Sequence, residues 1–380
     1  MPIARPLFVL ATCLIGFDAA AQLPVVTVGG SNPDFADLPQ AVAAAAPESI
    51  LEVRPGHYLG FTTNKPLHIL LDFTAATGSV QAPPGGAYAI QINGLFTGSF
   101  SVIGRGATLG AGVLGAIRVA NTGAYVMLQG LTVTAPGLRP ALDVQNAATV
   151  FVERCAFAGT PALQIQDATL AGSNVACTSP AGFAVFASRS LLDLGHGSYR
   201  SYQVPAIHVD QCAVRLAGDG ATPIVVAGAP TGPVSAFEAI GSLLQWDQSR
   251  FQVVAAGGAP GFVNLGGAVF PGDVPTLVTS AASPGGNATV RMTVGAPTPG
   301  LIGFDTLGQH FTIYELTGVY VDPVVPVIAA LGIVDAGGLS LSVSVPHTAT
   351  LRGQTFSLQG IVWPPSGLPV WSAPGLWSVL

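Results

Sequence analysis

The chain has 380 residues, 49% of them hydrophobic and only 8% charged, with 48 glycines, 31 prolines and a formal net charge of −6. Low hydrophobicity with high charge is what keeps a chain unfolded, so disorder is excluded and there is ample material for a large core. The single lysine, Lys65, and the scattered arginines form no basic cluster that could neutralise phosphates and no basic amphipathic helix for anionic lipid, which argues against nucleic acid as a partner.

The first element in chain order is a leader. "MPIARPLFVLATCLIGFDAAAQ" carries Arg5 in a short basic region, an apolar run from Leu7 to Phe17, and small residues at Ala19 and Ala21. This pattern predicts a secretory signal peptide over 1–21, cleaved after Ala21; the run is too short to span a bilayer. No later stretch reaches the roughly 18 apolar residues a membrane span needs, and "VVPVIAALGIV" is broken by Pro326. The expected mature chain is exported, secreted or held at the cell surface, with no transmembrane segment. Removing the leader removes Cys13 and leaves Cys155, Cys177 and Cys212, an odd number, so one thiol is free or pairs elsewhere.

Next comes "DFADLPQAVAAAAPESILEVRPGHY", residues 34–58. Phe35, Leu38, Ala41, Val42 and Ala45 make an apolar face at helical spacing, and Asp34 or Asp37 suits the helix N-terminus. A short strand and a Pro-Gly turn follow.

From residue 89 the chain repeats itself. "AIQIN", "AIRVA", "ALDVQ", "ALQIQ", "AVFAS" and "AIHVD" begin at Ala89, Ala116, Ala141, Ala162, Ala184 and Ala206, at intervals of 27, 25, 21, 22 and 22 residues. Weaker copies, "AFEAI" and "GFVNL", start at Ala236 and Gly261. Several strands per period of this length predict a β-solenoid of about ten or more coils. Each coil pairs with the next, so an open end is an unpaired edge that invites aggregation; the helix near residue 38 is expected to cover the first one.

The segment "FADLPQAVAAAA … ILEVRPGHYLGF" resembles the opening of right-handed parallel β-helix proteins of the pectin-lyase-like superfamily, which commonly show an Ala-rich cap helix and then a Val-x-Pro-Gly-x-Tyr strand and turn. The resemblance covers about residues 25–280 and implies the fold. It leaves function open, because this fold hosts lyases, hydrolases, adhesins and inert surface proteins. Coil stacking also places the cysteines. Cys155 lies 14 residues after Ala141 and Cys177 lies 15 after Ala162, so the two are expected on adjacent coils about 4.8 Å apart, within disulfide range. An inter-coil disulfide and two stacked, buried thiols both fit; Cys212 is expected to stay unpaired.

In each repeated strand the aliphatic residues point inward and the residue between them outward. One outward ladder reads Gln91, Arg118, Asp143, Gln164, Phe186, His208, Glu238; a second reads Asn93, Ala120, Gln145, Gln166, Ser188, Asp210, Ile240. The superfamily often uses the corresponding sheet as the wall of a carbohydrate cleft. Gln91, Asn93, Gln145, Gln164, Gln166 and Phe186 are therefore candidate substrate-binding residues; ordinary strand surface, stabilised by amide ladders, fits equally. Catalysis is the lesser reading. Asp210 and Glu238 would lie about 8 Å apart on a diagonal, a spacing suited to an inverting carboxylate pair, with His208 beside them. Asp143 and Glu238 would be about 19 Å apart, too far to share one bond. Arg118 beside Asp143 is the other catalytic candidate, though adjacent opposite charges are more often a surface ion pair.

"DLGHGSY" contains a Gly-His-Gly that resembles a short signature of the polygalacturonase family, but that family's other motifs are absent, so His196 reads as a turn residue. No His-x-x-x-His, Cys-x-x-Cys or Asp-rich loop is present; no metal and no cofactor are expected.

After "TSAASPGGNATV" (279–290), a linker-like stretch, the period stops and separate strands suggest a small β-sandwich. "VSVPHTATLRGQTFSLQGIVWPP" resembles a C-terminal module appended to many secreted proteins of environmental bacteria; it could cap the open end of the coil or bind a partner. Trp363, Trp371 and Trp377 read as sandwich core, or as a sugar platform. The expected organisation is a β-helix over 22–283 and a sandwich over 284–380, as a monomer. The expected role is non-catalytic, structural or polysaccharide-recognising, with a polysaccharide lyase or glycoside hydrolase as the alternative.

Overall fold

The computed structural model describes residues 23–380, apart from 219–224, 228–232, 247–249, 256, 272–273, 281–284, 307–310, 315–316, 320–326, 336, 346–354, 366–368, 373–374 and 379–380. The expected leader, part of the linker and much of the C-terminal module motif lie outside the described residues.

The chain winds into a right-handed parallel β-helix of about nine turns, followed by small antiparallel sheets, somewhat fewer turns than the sequence period implies. Each full coil contributes a strand to three ladders. The first ladder contains the repeated Ala strands and runs from Phe61–Thr63 to Phe262–Leu265. The second runs from Val25–Val28 to Ala268–Pro271, and the third from His57–Leu59 to Val253–Val254. Side chains alternate across the first ladder: in Leu163–Gln166, Leu163 and Ile165 are buried and the glutamines half-buried. That period of two is what one-sided burial imposes on a strand.

The turn that leaves the first ladder has one recurring conformation. Gly94, Asn121, Asn146, Asp167, Arg189, Gln211, Gly241 and Gly266 follow successive strands and all have positive φ, between 47° and 77°. Glycine and the short polar residues adopt this left-handed conformation most readily, which explains most of the choices. Two asparagines also bond along the stack: Asn121 Nδ2 donates to Asn93 Oδ1 at 3.0 Å, and Asn146 Nδ2 to Asn121 Oδ1 at 3.4 Å. Two rungs on, Arg189 and Asp167 form a two-pronged ion pair at 2.7 and 2.6 Å.

At the N-terminal end the helix Leu38–Ala44 buries Leu38, Ala41 and Val42 against the first coils. Asp37 is its N-cap, accepting from the Leu38 amide at 2.8 Å; Asp34 instead accepts from Thr27. The other helix end meets the chain's single lysine. Lys65 Nζ donates to the carbonyls of Val42, Ala43 and Ala45 at 3.3, 2.6 and 3.1 Å, placing a cation where helix carbonyls lack partners.

The antiparallel pairing begins at Thr276, where Thr276–Thr279 pairs with Asn287–Thr293, ahead of the boundary expected at 284. A second core around Leu277, Val290, Met292, Ile302, Phe356 and Leu358 holds these sheets together. They contact the coil from the side, along the outward face of the second ladder and the turns that follow it. Thr276 Oγ1 donates to the Gly218 carbonyl at 2.6 Å, Thr279 Oγ1 to Glu153 at 2.7 Å, and Arg250 to Thr293 Oγ1 at 3.0 Å. Of the three late tryptophans, Trp363 is partly exposed and Trp371 half-buried, while the Trp377 side chain lies outside the described residues.

Of the two arrangements expected for Cys155 and Cys177, an inter-coil disulfide or buried thiols, the structure holds the second. Cys155, Cys177 and Cys212 are all buried free thiols. Register gives the reason: Ala156 pairs with Ala176 and Phe157 with Cys177, so Cys177 stands two positions past the counterpart of Cys155. The turn from Gln145 to Val150 is one residue longer than its equivalent from Gln166 to Leu170, and that extra residue misaligns any count made from the alanines.

Candidate functional site

The first ladder brings the sequence candidates together in the expected order. Gln91 pairs with Arg118, Arg118 with Asp143, Asp143 with Gln164, Gln164 with Phe186, Phe186 with His208, and His208 with Glu238. Beside it, Asn93, Ala120, Gln145, Gln166, Ser188, Asp210 and Ile240 align in the second column. The longer step of 30 residues from Ala206 to Ala236 keeps the same register.

The face has two polar centres. The first surrounds Asp143, which is buried to 3% exposure. Its carboxylate accepts the Tyr88 hydroxyl at 3.1 Å and the Gln145 amide at 3.0 Å, and Arg118 Nε lies 3.9 Å away. The Arg118 guanidinium sits over the Tyr88 ring, 5.6 Å from its centroid, and donates to Gln145 Oε1 at 3.0 Å. Burial pushes the Asp143 carboxyl above its ordinary value, opposed by the Tyr88 hydrogen bond, the Arg118 charge and the Gln145 amide. Burial likewise raises the Tyr88 phenol, with the neighbouring carboxylate adding to it.

Tyr88 is the member of this centre that the sequence did not reveal. It stands in the turn ahead of the Ile90–Asn93 strand, off the repeated positions, and reaches two rungs along the stack. Gly115 makes room for it: a Cβ there would fall 2.9 Å from the Tyr88 ring.

The second centre is aromatic. The Phe186 and His208 rings are parallel, with centroids 5.5 Å apart, and Phe183 packs against both at 5.5 and 4.9 Å. His208 Nδ1 is 2.9 Å from Glu238 Oε2. Glu238 thus meets His208 along its own ladder, while Asp210 stands across from Ile240. One face of the Phe186 ring is covered by His208, which leaves its edge and not that face for a ligand.

Between and beside these centres, Gln91 and Gln164 flank Arg118 and Asp143 on the same ladder, and no side-chain partner takes their amides among the described residues. Asn93 is engaged by Asn121; Gln166 lies next to Asp167 and lowers its carboxyl after the larger effect of Arg189. Among the described residues, no three His, Cys, Asp or Glu side chains converge in a way that could hold a metal ion, and no helix is long and apolar enough to cross a membrane.

The fold defines this chain as a parallel β-helix protein. No protein-family model matches the chain, and none of the curated proteins compared with it matches. Among solved structures it is similar to the deglycosylated pectin methylesterase of Aspergillus niger, at 11% identity and a TM-score of 0.29, over 67% of this chain and 87% of that one.

Proposed function

We propose that this is an exported, non-catalytic protein that recognises polysaccharide along the outward face of the first ladder. The leader-like sequence at 1–21 supports export. The observation that carries recognition is the run Gln91, Arg118, Asp143, Gln164 on four consecutive rungs, with Gln145 and Gln166 alongside. Amide and guanidinium groups at a regular spacing of about 4.8 Å offer alternating donors and acceptors suited to sugar hydroxyls. Two of the three carboxylates of this face are already engaged: Asp143 by Tyr88 and Gln145, Glu238 by His208. The β-helix over 22–283 supplies the face, and the module over 284–380 lies against its side.

One observation favours the alternative, a lyase or hydrolase. A buried carboxyl held above its ordinary value beside an arginine, as Asp143 is, is the kind of group that general acid–base catalysis uses. A polysaccharide panel separates the two readings, with binding followed alongside release of reducing ends and unsaturated products. Retention without turnover, weakened by Arg118→Ala, supports recognition. Turnover abolished by Asp143→Asn or Asp210→Asn overturns the non-catalytic reading; a panel with neither binding nor turnover removes polysaccharide recognition and leaves a structural surface protein.

A further inference from the structure

The two ends of the coil are built differently. At the N-terminal end the helix Leu38–Ala44 lies over the first coils and buries its apolar face there. At the other end the last strands, Val253–Val254, Phe262–Leu265 and Ala268–Pro271, each pair backward with the preceding coil, and among the described residues no strand pairs with their far edges. An unpaired strand edge is a template for another chain. Natural edges are commonly protected by charge, yet from Gln252 to Gly272 no charged residue occurs.

Side chains agree with the backbone. Val254, Leu265 and Phe270 end the outward columns of the three ladders and are 52%, 50% and 46% exposed. The inward residues of this coil, Val253, Phe262 and Val269, are only partly buried, whereas Phe237 and Leu244 one coil earlier are fully so. One inward position is polar: Asn264 stands where the preceding coil has the buried Ala239. Its Oδ1 is buried with no hydrogen-bond partner, a state that costs about 1–3 kcal/mol.

We infer that this end is an interface with a second copy of the chain, joined C-terminal coil to C-terminal coil. A two-fold axis perpendicular to the coil brings like ends together with strands antiparallel, so the free edges continue each other's ladders. The contact is isologous, the same patch on both partners. Every charge on such a patch would sit near its own copy, and a charge-free coil removes that repulsion. The size is sufficient. A coil of about 20–25 residues at about 3.3 Å each encloses roughly 400 Å² within its backbone and about 700 Å² with outward side chains. Two such faces bury on the order of 1,400 Å², a normal size for a stable protein pair. Because the opposite end carries the helix, association stops at two copies and does not continue into a filament. The sequence alone implied a monomer; an end left unpaired among the described residues changes that expectation.

Sedimentation velocity of the full chain over a concentration series tests this. The expected mass is twice the 38.3 kDa of one chain. Leu265→Lys and Phe270→Lys alter exposed side chains, and each lysine enters the contact twice, so either should weaken the pair by about two to three orders of magnitude. Their circular dichroism should match the unaltered chain. Phe96→Lys, at a residue 71% exposed and remote from the last coil, should leave the pair intact. A single-chain mass at every concentration, growth beyond two copies, or a pair that survives Leu265→Lys and Phe270→Lys together would each overturn the inference.

Discussion

Arg215 and Asp193 meet as two nitrogens on two oxygens, both at 2.5 Å, and both side chains are 1% exposed. They face each other across adjacent rungs of the second ladder, on its outward side. A third guanidinium nitrogen donates to the Trp371 carbonyl at 3.1 Å. This pair therefore ties coil to coil and coil to C-terminal sheets at one point.

Taking one charge from that pair strands the other without water. Arg215→Ala should cost about 3–5 kcal/mol, more than an exposed pair could account for. The double variant Arg215→Met, Asp193→Leu removes both charges and should recover most of the loss. Denaturant midpoints of the single and double variants measure this, and a double variant as unstable as the single ones would show that the charges were not the cause.

The Asp143 carboxyl gives a pH dependence of definite sign. Its folded value is raised, chiefly by burial, so the folded state holds the proton more tightly than the unfolded chain does. The associated stability is fully present below the unfolded value, near 3.9, and is lost as pH rises through the raised folded value. Asp143→Asn keeps an acceptor for the Tyr88 hydroxyl and does not titrate. Melting midpoints followed from about pH 3 to pH 7 should fall less with rising pH in the variant. Parallel profiles would place the titration elsewhere.

Asn146 tests the turn stack. It holds φ at 48° and donates to Asn121. Asn146→Ala forces an unsuited side chain into the left-handed region and should destabilise by about 1–2 kcal/mol. Asn146→Gly loses the same side-chain bond but accepts the backbone, so its melting midpoint should lie between those of the alanine variant and the unaltered chain. Equal losses would assign the whole effect to the hydrogen bond.

The first ladder was legible because its strands open on alanine or glycine and most of them alternate, so the repeat fixes the register along with the fold. The second ladder carries no such marker. Yet Asp193 and Arg215 are 22 residues apart, as are Asp167 and Arg189, the same step as from Ala184 to Ala206. Opposite charges one coil apart were thus a readable signal for both ion pairs. Tyr88 was not readable, since it projects from a turn whose path depends on the third ladder. The cysteines were misread for a related reason: turns absorb single residues without disturbing the strands, so offsets decay with distance from the alanine.

The thiols follow from that register. Burial pushes Cys155 up to about 12 and Cys212 to about 11, and raises Cys177 well beyond the ordinary thiol range. The thiolate, which is the reactive form, is therefore scarce at neutral pH. A chain lacking the leader should show almost no reaction with a thiol reagent while folded, and three equivalents once unfolded. Fewer than three after unfolding without reductant would reveal a disulfide.

The proposed recognition face makes the sharpest demand of Gln91 and Gln164. They stand three rungs apart on one ladder, about 14 Å by strand spacing, a distance that a chain of sugars spans and a single sugar does not. Removing one hydrogen-bonding amide should weaken binding of a retained polysaccharide by roughly 3–10-fold. Sites this far apart act independently, so Gln91→Ala with Gln164→Ala should multiply the two losses. Thr132→Ala, exposed on the third ladder, should change nothing. Short oligosaccharides should respond to one glutamine or the other, and long chains to both. If neither glutamine matters while a third-ladder substitution does, the ligand lies on a different face of the coil.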